Sequence, residues 1–376
     1  MICSRCILDD TVPELELDER QICNYCYLHD ILEKQYPGGK KATVALKKLV
    51  KEIKKNGEGK RYDCIVGVSG GTDSSYVLYQ AVKCGLRPLA VHFDNGWNSE
   101  IAVSNIKKIC TKLNVDLYTY VVDWEEFKNL QVSFLKASVP DAEIPTDVGL
   151  HGVLMRVANK ENIKYVFNGY SFRAEGMAPV GWTYMDGKYI DSVHNKFGDI
   201  KLKTYPNFLL KHFFYFNLIK GIKVIPFLNY FNYVKERAKK ILTKELDWQY
   251  YGGHHHESVY TRFFQSYYLP VKFNIDKRKT ELSAMVRCGH IARQRALKEI
   301  FNNPYKCDQE IIDYVISKLG LTKKDFEAIL KNKKKTFKDY STYYPMLKRF
   351  KLPVKIAYQI GIIPKLLYLK FYTLLF

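Results

Sequence analysis

The stretch CIVGVSGGTDSS at 64–75 constrains this chain most. Its first half is a short apolar run of the kind that forms a buried strand. Its second half is a glycine turn leading into SSYVLYQAVKCG (74–85), which reads as a helix ended by Gly85. A strand that turns into a helix in this way brings free backbone N–H groups and the positive helix end to one spot, which suits an anion. Gly70 and Gly71 let the backbone approach a phosphate closely, and Ser69, Ser74 and Ser75 add hydroxyl donors. No Gly-Lys-Ser/Thr follows, so the loop is not a Walker A loop. The Asp73 carboxylate would repel phosphate unless a cation lay between them, and Mg2+ held by Asp73 is therefore expected.

The alternation continues. PLAVHFD (88–94), DLYTYVV (116–122) and KYVFNG (164–169) read as strands. SEIAVSNIKKICTKLN (99–114), with Ser99 as its cap, and residues 123–137 and 146–161 read as helices. Strands alternating with helices predict an α/β fold with a doubly wound, Rossmann-like parallel sheet. Asp94, Asn95, Asn168 and Gly169 end two of those strands, at the carboxyl edge where ligands bind such sheets. Past residue 180 Tyr, Phe, Lys and His dominate and a mostly helical region is expected. The expected layout is a Cys-paired module (1–35), a basic helix and linker (36–60), the nucleotide domain (61–200), an aromatic helical region for substrate or partner (201–320) and a basic, amphipathic tail (321–376).

Cys3-x-x-Cys6 and Cys23-x-x-Cys26 form two knuckles separated by sixteen residues. Two such knuckles predict a tetrahedral four-thiolate zinc site, closed to substrate and therefore structural, with an iron site, an iron–sulfur cluster or no metal as the alternatives. Nine cysteines, an odd number, with this pairing argue for a reducing cytoplasm over a disulfide scaffold. The net charge of +20 favours anionic partners without choosing among nucleotides, nucleic acid, acidic sugars and a membrane surface. Residues 206–234 and 351–376 are rich in aromatic and aliphatic side chains but interrupted by lysines. They fall short of the about 20 apolar residues a membrane span needs. They fit either a packed helix pair or a helix lying on the inner membrane surface.

SGGTDS resembles the PP-loop, S-G-G-x-D-S, of the N-type ATP pyrophosphatases. The resemblance implies cleavage of ATP between the α and β phosphates and adenylation of a carbonyl oxygen, with Ser69, Asp73 and Ser74 carrying the chemistry. A wider resemblance covers residues 1 to about 320. The two knuckles, the PP-loop, VHFDNGW (91–97), FNGYSFRAEG (167–176), GGHHHES (252–258), YTRFFQSYYLP (260–270) and KFNIDKRK (272–279) look like the N-acetyl sugar amidotransferases of surface-polysaccharide pathways. That implies replacement of an acetamido oxygen on a nucleotide-activated sugar by ammonia, giving an acetamidino sugar. It also implies that adenosine sits at Asp94 and Asn95, with a plain strand-end turn as the alternative there, and that Asn168 and Gly169 cover the ATP from the other side.

Arg173 or Glu175 is expected to touch ATP or metal, with a surface salt bridge as the alternative. His255 and Glu257, in the run His254–Glu257, are candidates for substrate or ATP contact, with structural or metal roles also open. Arg262, Lys272, Lys277 and Arg278 are candidates for phosphate and sugar-carboxylate recognition. Thr146 and His151, at a helix start near the predicted site, are weaker candidates. One segment, RCGHIARQRALKEI (287–300), lacks the acidic pair expected of the family, and only packing is expected of it.

No glutaminase machinery is visible: Ile2, not Cys, follows Met1, and no cysteine lies in a nucleophile elbow. Ammonia is therefore expected free or from a separate glutaminase subunit, with a cyclase-like companion as a further channel. The alternative class is a PP-loop tRNA thiolase, which shares knuckles, loop and positive charge. Thiolases use cysteines near ATP, whereas Cys64 and Cys84 read as buried, so nucleic acid is not the expected partner.

Overall fold

The computed structural model describes residues 1–253, 256–359 and 368–369. Five parallel strands make one sheet: β1 (Cys64–Gly67), β2 (Pro88–Asp94), β3 (Leu117–Val121), β4 (Tyr165–Asn168) and β5 (Lys223–Pro226), in the order β3-β2-β1-β4-β5. The register pairs Gly67 with Val91, Val66 with Phe167, and Asn168 with Pro226. The order reverses between β1 and β4, and the crevice outside their carboxyl ends is where an open α/β sheet binds its ligand.

Helices cover both faces. On one face lie α2 (Gly39–Asn56), α3 (Thr72–Lys83), α4 (Glu100–Leu113) and the helix Lys235–Leu246, gathered on Val66, Val77, Leu78, Phe167, Leu242 and Trp248. On the other lie α5 (Trp124–Ala137) and α6 (Ile144–Lys160), together with the C-terminal helices, around Val91, Phe134, Met155 and Val166. The central strands are buried on both sides, as their near-continuous apolar sequence requires. Each fully buried aliphatic or Phe side chain there contributes about 1.5–3 kcal/mol. β3 alternates between exposed and half-buried because it is an edge strand.

The α/β sheet, the cysteine module and the helical C-terminal part agree with the sequence reading. Ser99 caps α4 by accepting from Ala102 N at 3.2 Å, and Asp123 does the same for α5. One element differs. KVIP at 223–226, inside the stretch read as packed or interfacial helix, is a fifth strand beside β4. The sheet therefore runs past residue 200, where the nucleotide domain was expected to end. The helix Lys235–Leu246 belongs to it too, packed on α3.

Candidate active site

The loop Val68–Gly71 leaves β1 and enters α3 with Gly71 as N-cap, a residue with no side chain to satisfy the helix's first N–H groups. Gly70 has φ +77°, and a Cβ there would lie 2.3 Å from the Ala102 carbonyl oxygen, so only glycine fits. Across the crevice, a Cβ on Gly169 would press to 3.1 Å from Ser74 N, so the turn after β4 packs closely on the first turn of α3 where that residue has no side chain. The Ser69 and Ser74 hydroxyls lie 3.1 Å apart, and Ser69 Oγ accepts from Gly71 N at 3.3 Å. The result is a small cradle of hydroxyl and amide donors at the end of a helix.

A returning segment, 229–258, walls this cradle. Trp248 Nε1 donates to the Gly70 carbonyl at 2.9 Å, and Asn105 Nδ2, from α4, donates to it at 3.3 Å. Tyr251 OH accepts from Thr72 N at 3.1 Å. The Tyr233 hydroxyl donates to Asp73 Oδ1, and Lys235 Nζ lies 3.2 Å from Asp73 Oδ2. Burial disfavours the Lys235 charge, but the carboxylates of Asp73, Glu281 and Glu175 hold its pKa above the ordinary lysine value. Burial, then the Asp73 charge, push the Tyr233 hydroxyl well up, so it remains a proton donor. Glu257 Oε1 reaches Ser69 Oγ at 3.4 Å. Two carboxylates thus flank the cradle, a set of groups that accepts phosphate only with cations between. Asn168 Oδ1, at the end of β4, is buried with no hydrogen-bond partner among the described residues, an acceptor a bound ligand could satisfy.

Far along the chain from the loop, all four knuckle cysteines are fully buried. Their sulfurs lie 3.8 Å (Cys3–Cys26), 3.6 Å (Cys6–Cys23) and 3.5 Å (Cys23–Cys26) apart. A tetrahedron with zinc–sulfur bonds of about 2.3 Å has edges of about 3.8 Å, so the residues fit the ion. Arg287 donates from Nε to Cys26 Sγ and from Nη2 to Cys6 Sγ, both at 3.3 Å. Arg293 donates to the Cys6 and Cys3 carbonyls, both at 2.8 Å. The segment 287–300, expected only to pack, is thus the clamp that holds the knuckles and offsets their negative charge.

Comparison with known proteins agrees with this picture. Residues 257–352 match the family model described as LPS biosynthesis protein WbpG-like, C-terminal domain, and residues 63–153 match queuosine biosynthesis protein QueC. The two matches together support a PP-loop protein related to LPS biosynthesis, one over the loop region and one over the C-terminal region. The uncharacterized protein MJ1599 of Methanocaldococcus jannaschii is 23% identical to it over 312 residues, 80% of this chain and 93% of that protein. The structure of NMN synthetase from Francisella tularensis matches 58% of this chain and 94% of its own, with 16% identity and a TM-score of 0.29. The QueC match over the loop region supports an ATP-using enzyme.

The fold brings only some of the sequence-predicted residues together. Ser69, Gly70, Gly71, Asp73, Ser74, Gly169 and Glu257 meet at the cradle. Asp94 accepts from Gly96 N and Asn98 Nδ2, and Asn95 Nδ2 donates to Thr146 Oγ1 at 3.1 Å, which ties α6 to the end of β2. Glu175 lies close enough to raise the Lys235 pKa. His151 stacks edge-on against Phe208, and burial pushes its pKa down to about 4, so it is neutral. His255 lies outside the described residues.

Four basic candidates are committed elsewhere. Arg173 is buried, with its guanidinium bidentate on Glu33 at 2.7 Å and donating to the Tyr36 and Asn229 carbonyls, so it pins the cysteine module to the sheet. Lys272 is buried on the carbonyls that end the helix Lys323–Lys331, donating to Leu330 O at 3.2 Å and Asn332 O at 3.0 Å. Arg278 is bidentate on Asp276 and donates to Asn303 O. Arg262 pairs with Asp308. Each basic side chain took the carboxylate or carbonyls its own fold supplied. Lys277 has a looser partner, Glu143 at 3.9 Å, and stays closer to the original expectation.

Tyr233, Lys235, Trp248, Tyr251 and Asn105 were missed. Lys235 stands in NYVKERAKK among many similar lysines, and no spacing rule singles it out.

Proposed function

We propose that this protein is the synthetase of an ATP-dependent amidotransferase that adenylates the acetamido oxygen of a nucleotide-activated sugar and replaces it with ammonia. The observation that carries the reading is the cradle: serine hydroxyls and helix amides facing Asp73, with Lys235 alongside. Ser69, Ser74 and the first-turn amides of α3 would hold the departing pyrophosphate, as donors fixed in advance where charge develops. Asp73, with Glu257 beside it, would hold Mg2+, which neutralises phosphate charge. Asn168, with Asp94 and Asn95 at the adjoining strand end, would hold the adenosine.

The chemistry balances. The acetamido oxygen attacks the α-phosphorus, the bond to the β-phosphate oxygen breaks, and pyrophosphate leaves. Ammonia then adds to the acetamido carbon and AMP leaves with the oxygen, so =O becomes =NH. An amide oxygen leaves poorly, and joining it to AMP makes it a good leaving group. Ammonia would come from a glutaminase subunit, with or without a cyclase-like channel protein. The WbpG-like match over 257–352 supports a role in LPS biosynthesis, and that region would contact the sugar, with Lys277 its best remaining cation.

The five cysteines outside the knuckles speak against sulfur transfer. Burial raises every one: Cys64 well up, Cys84 and Cys307 up, Cys110 and Cys288 to about 11. Reactive cysteines are lowered and accessible. The test is pyrophosphate release from ATP, Mg2+ and ammonium, with a panel of nucleotide-activated N-acetyl sugars and with bulk tRNA. AMP and pyrophosphate formed with one sugar, and a product lighter by the difference between O and NH, support the reading. Turnover only with tRNA and a sulfur donor sinks it.

A further inference from the structure

The segment between β4 and the helix Lys235–Leu246 has a feature that the adenylating site does not use. Between Asp199 and Glu236 the sequence contains no carboxylate and several lysines. Within it, Phe214–Ile219 forms a single turn of π-helix just before the edge strand β5. Its residues divide cleanly by face. Phe216 is buried against Phe208, ring centroids 6.2 Å apart, and that ring in turn meets His151 on α6. Phe214, Tyr215, Leu218 and Ile219 point outward, at 49%, 39%, 41% and 73% exposure. Positions i, i+1, i+4 and i+5 share one side of such a turn, so the four make one apolar face on a buried anchor.

Lysines rim this face. Lys211 precedes it and is exposed. Lys220 follows it, with its ammonium 5.4 Å from the Tyr215 ring centroid, a stem lying along apolar surface with its charge at the edge. Lys223, next along, pairs with Glu52 at 3.2 Å, and Asp191, on the helix Gly187–Phe197, lies close enough to Lys211 to feel its charge. Protein interfaces are depleted in lysine, whereas elements that lie in a membrane surface combine lysines with Phe, Leu and Ile. No helix among the described residues is long and apolar enough to cross a membrane, so the contact would be with the surface alone.

We propose that the 211–223 projection docks this enzyme on an anionic lipid bilayer, with Phe214, Leu218 and Ile219 entering the headgroup boundary and Lys211 and Lys220 meeting lipid phosphates. This does not depend on the reaction proposed above. A small apolar face plus a few lysines gives reversible, salt-sensitive attachment, since a lysine near an anionic surface contributes about 1 kcal/mol and is screened within a Debye length.

The test is sedimentation of the full chain with vesicles of phosphatidylcholine alone and of phosphatidylcholine with phosphatidylglycerol, at low and high salt. The expected result is binding to the anionic vesicles only, weakened by salt. Partitioning should fall about tenfold or more in the exposed triple variant F214S/L218S/I219S, and also in K211E/K220E. Circular dichroism and pyrophosphate release in solution should be unchanged in both. Wild-type protein left in the supernatant with anionic vesicles overturns the proposal. So does a triple variant that sediments like wild type, which would assign binding to another surface. A wild-type dimer that the triple variant loses, without vesicle binding, would make the face a contact between copies and overturn it too.

Discussion

The four-cysteine centre and the PP-loop cradle both concentrate charge in a buried place, and they do so in opposite ways. At the cysteines every sulfur is fully buried and braced by fixed neighbours: Arg287 on three sulfurs, Arg293 on two carbonyls, and Arg173 joining the module to the sheet. At the cradle the charged groups hold partners that can be exchanged. Asp73 rests on a lysine and a tyrosine hydroxyl, and Ser69 on Ser74 and Glu257. A closed centre stabilises a fold, while a site for turnover must let its groups change partners. Lys235 is the clearest case. Its ammonium lies 3.2 Å from Asp73 Oδ2, a contact that a bound cation could replace.

The comparison can be broken first at Asp73. Asp73→Ala should lower pyrophosphate release about a thousandfold or more while leaving zinc content intact, measured by steady-state kinetics and metal analysis. Near-normal turnover would remove the cradle from the chemistry. Lys235→Met should cost about a hundredfold in kcat. It should also let Mn2+ bind without nucleotide more tightly than in wild type, because Asp73 loses its internal cation; unchanged Mn2+ titration would show that the pair is merely structural. Arg287→Leu tests the other side. Zinc affinity should fall about 10–100-fold in a chelator competition, with kcat unaltered once zinc is saturating. An equal loss of kcat would couple the two regions.

The smallest effect is on pH. His29 and His151 have their pKa values pushed down by burial, to about 3 and about 4. Because they remain neutral in the folded chain, the unfolded chain binds more protons below the ordinary histidine pKa, so stability is full above it and falls as pH drops toward 4. Replacing His151 with Asn should flatten part of that loss in a denaturation series from pH 7 to pH 4.

The sheet and the loop were legible because their information is local. CIVGVSGG encodes strand, turn and helix within a dozen residues, and the knuckle spacing encodes the tetrahedron. What escaped depends on distance. KVIP is too short and too surrounded by aromatics to announce a strand, and becomes one only because β4 offers a free edge. Lys235 and Trp248 meet the loop across more than 150 residues of chain. Conversely Lys272 and Arg278 looked available in KFNIDKRK, yet a helix end and Asp276 claim them. A basic residue's type says what it can bind, and only packing says what it already holds.

The central claim is that the cradle joins AMP to a carbonyl oxygen. With the sugar that supports turnover, made with 18O in its acetamido group, the AMP released should carry the heavy oxygen, read by mass spectrometry. AMP without the label, formed alongside product, would mean that the oxygen was never adenylated and would contradict the account.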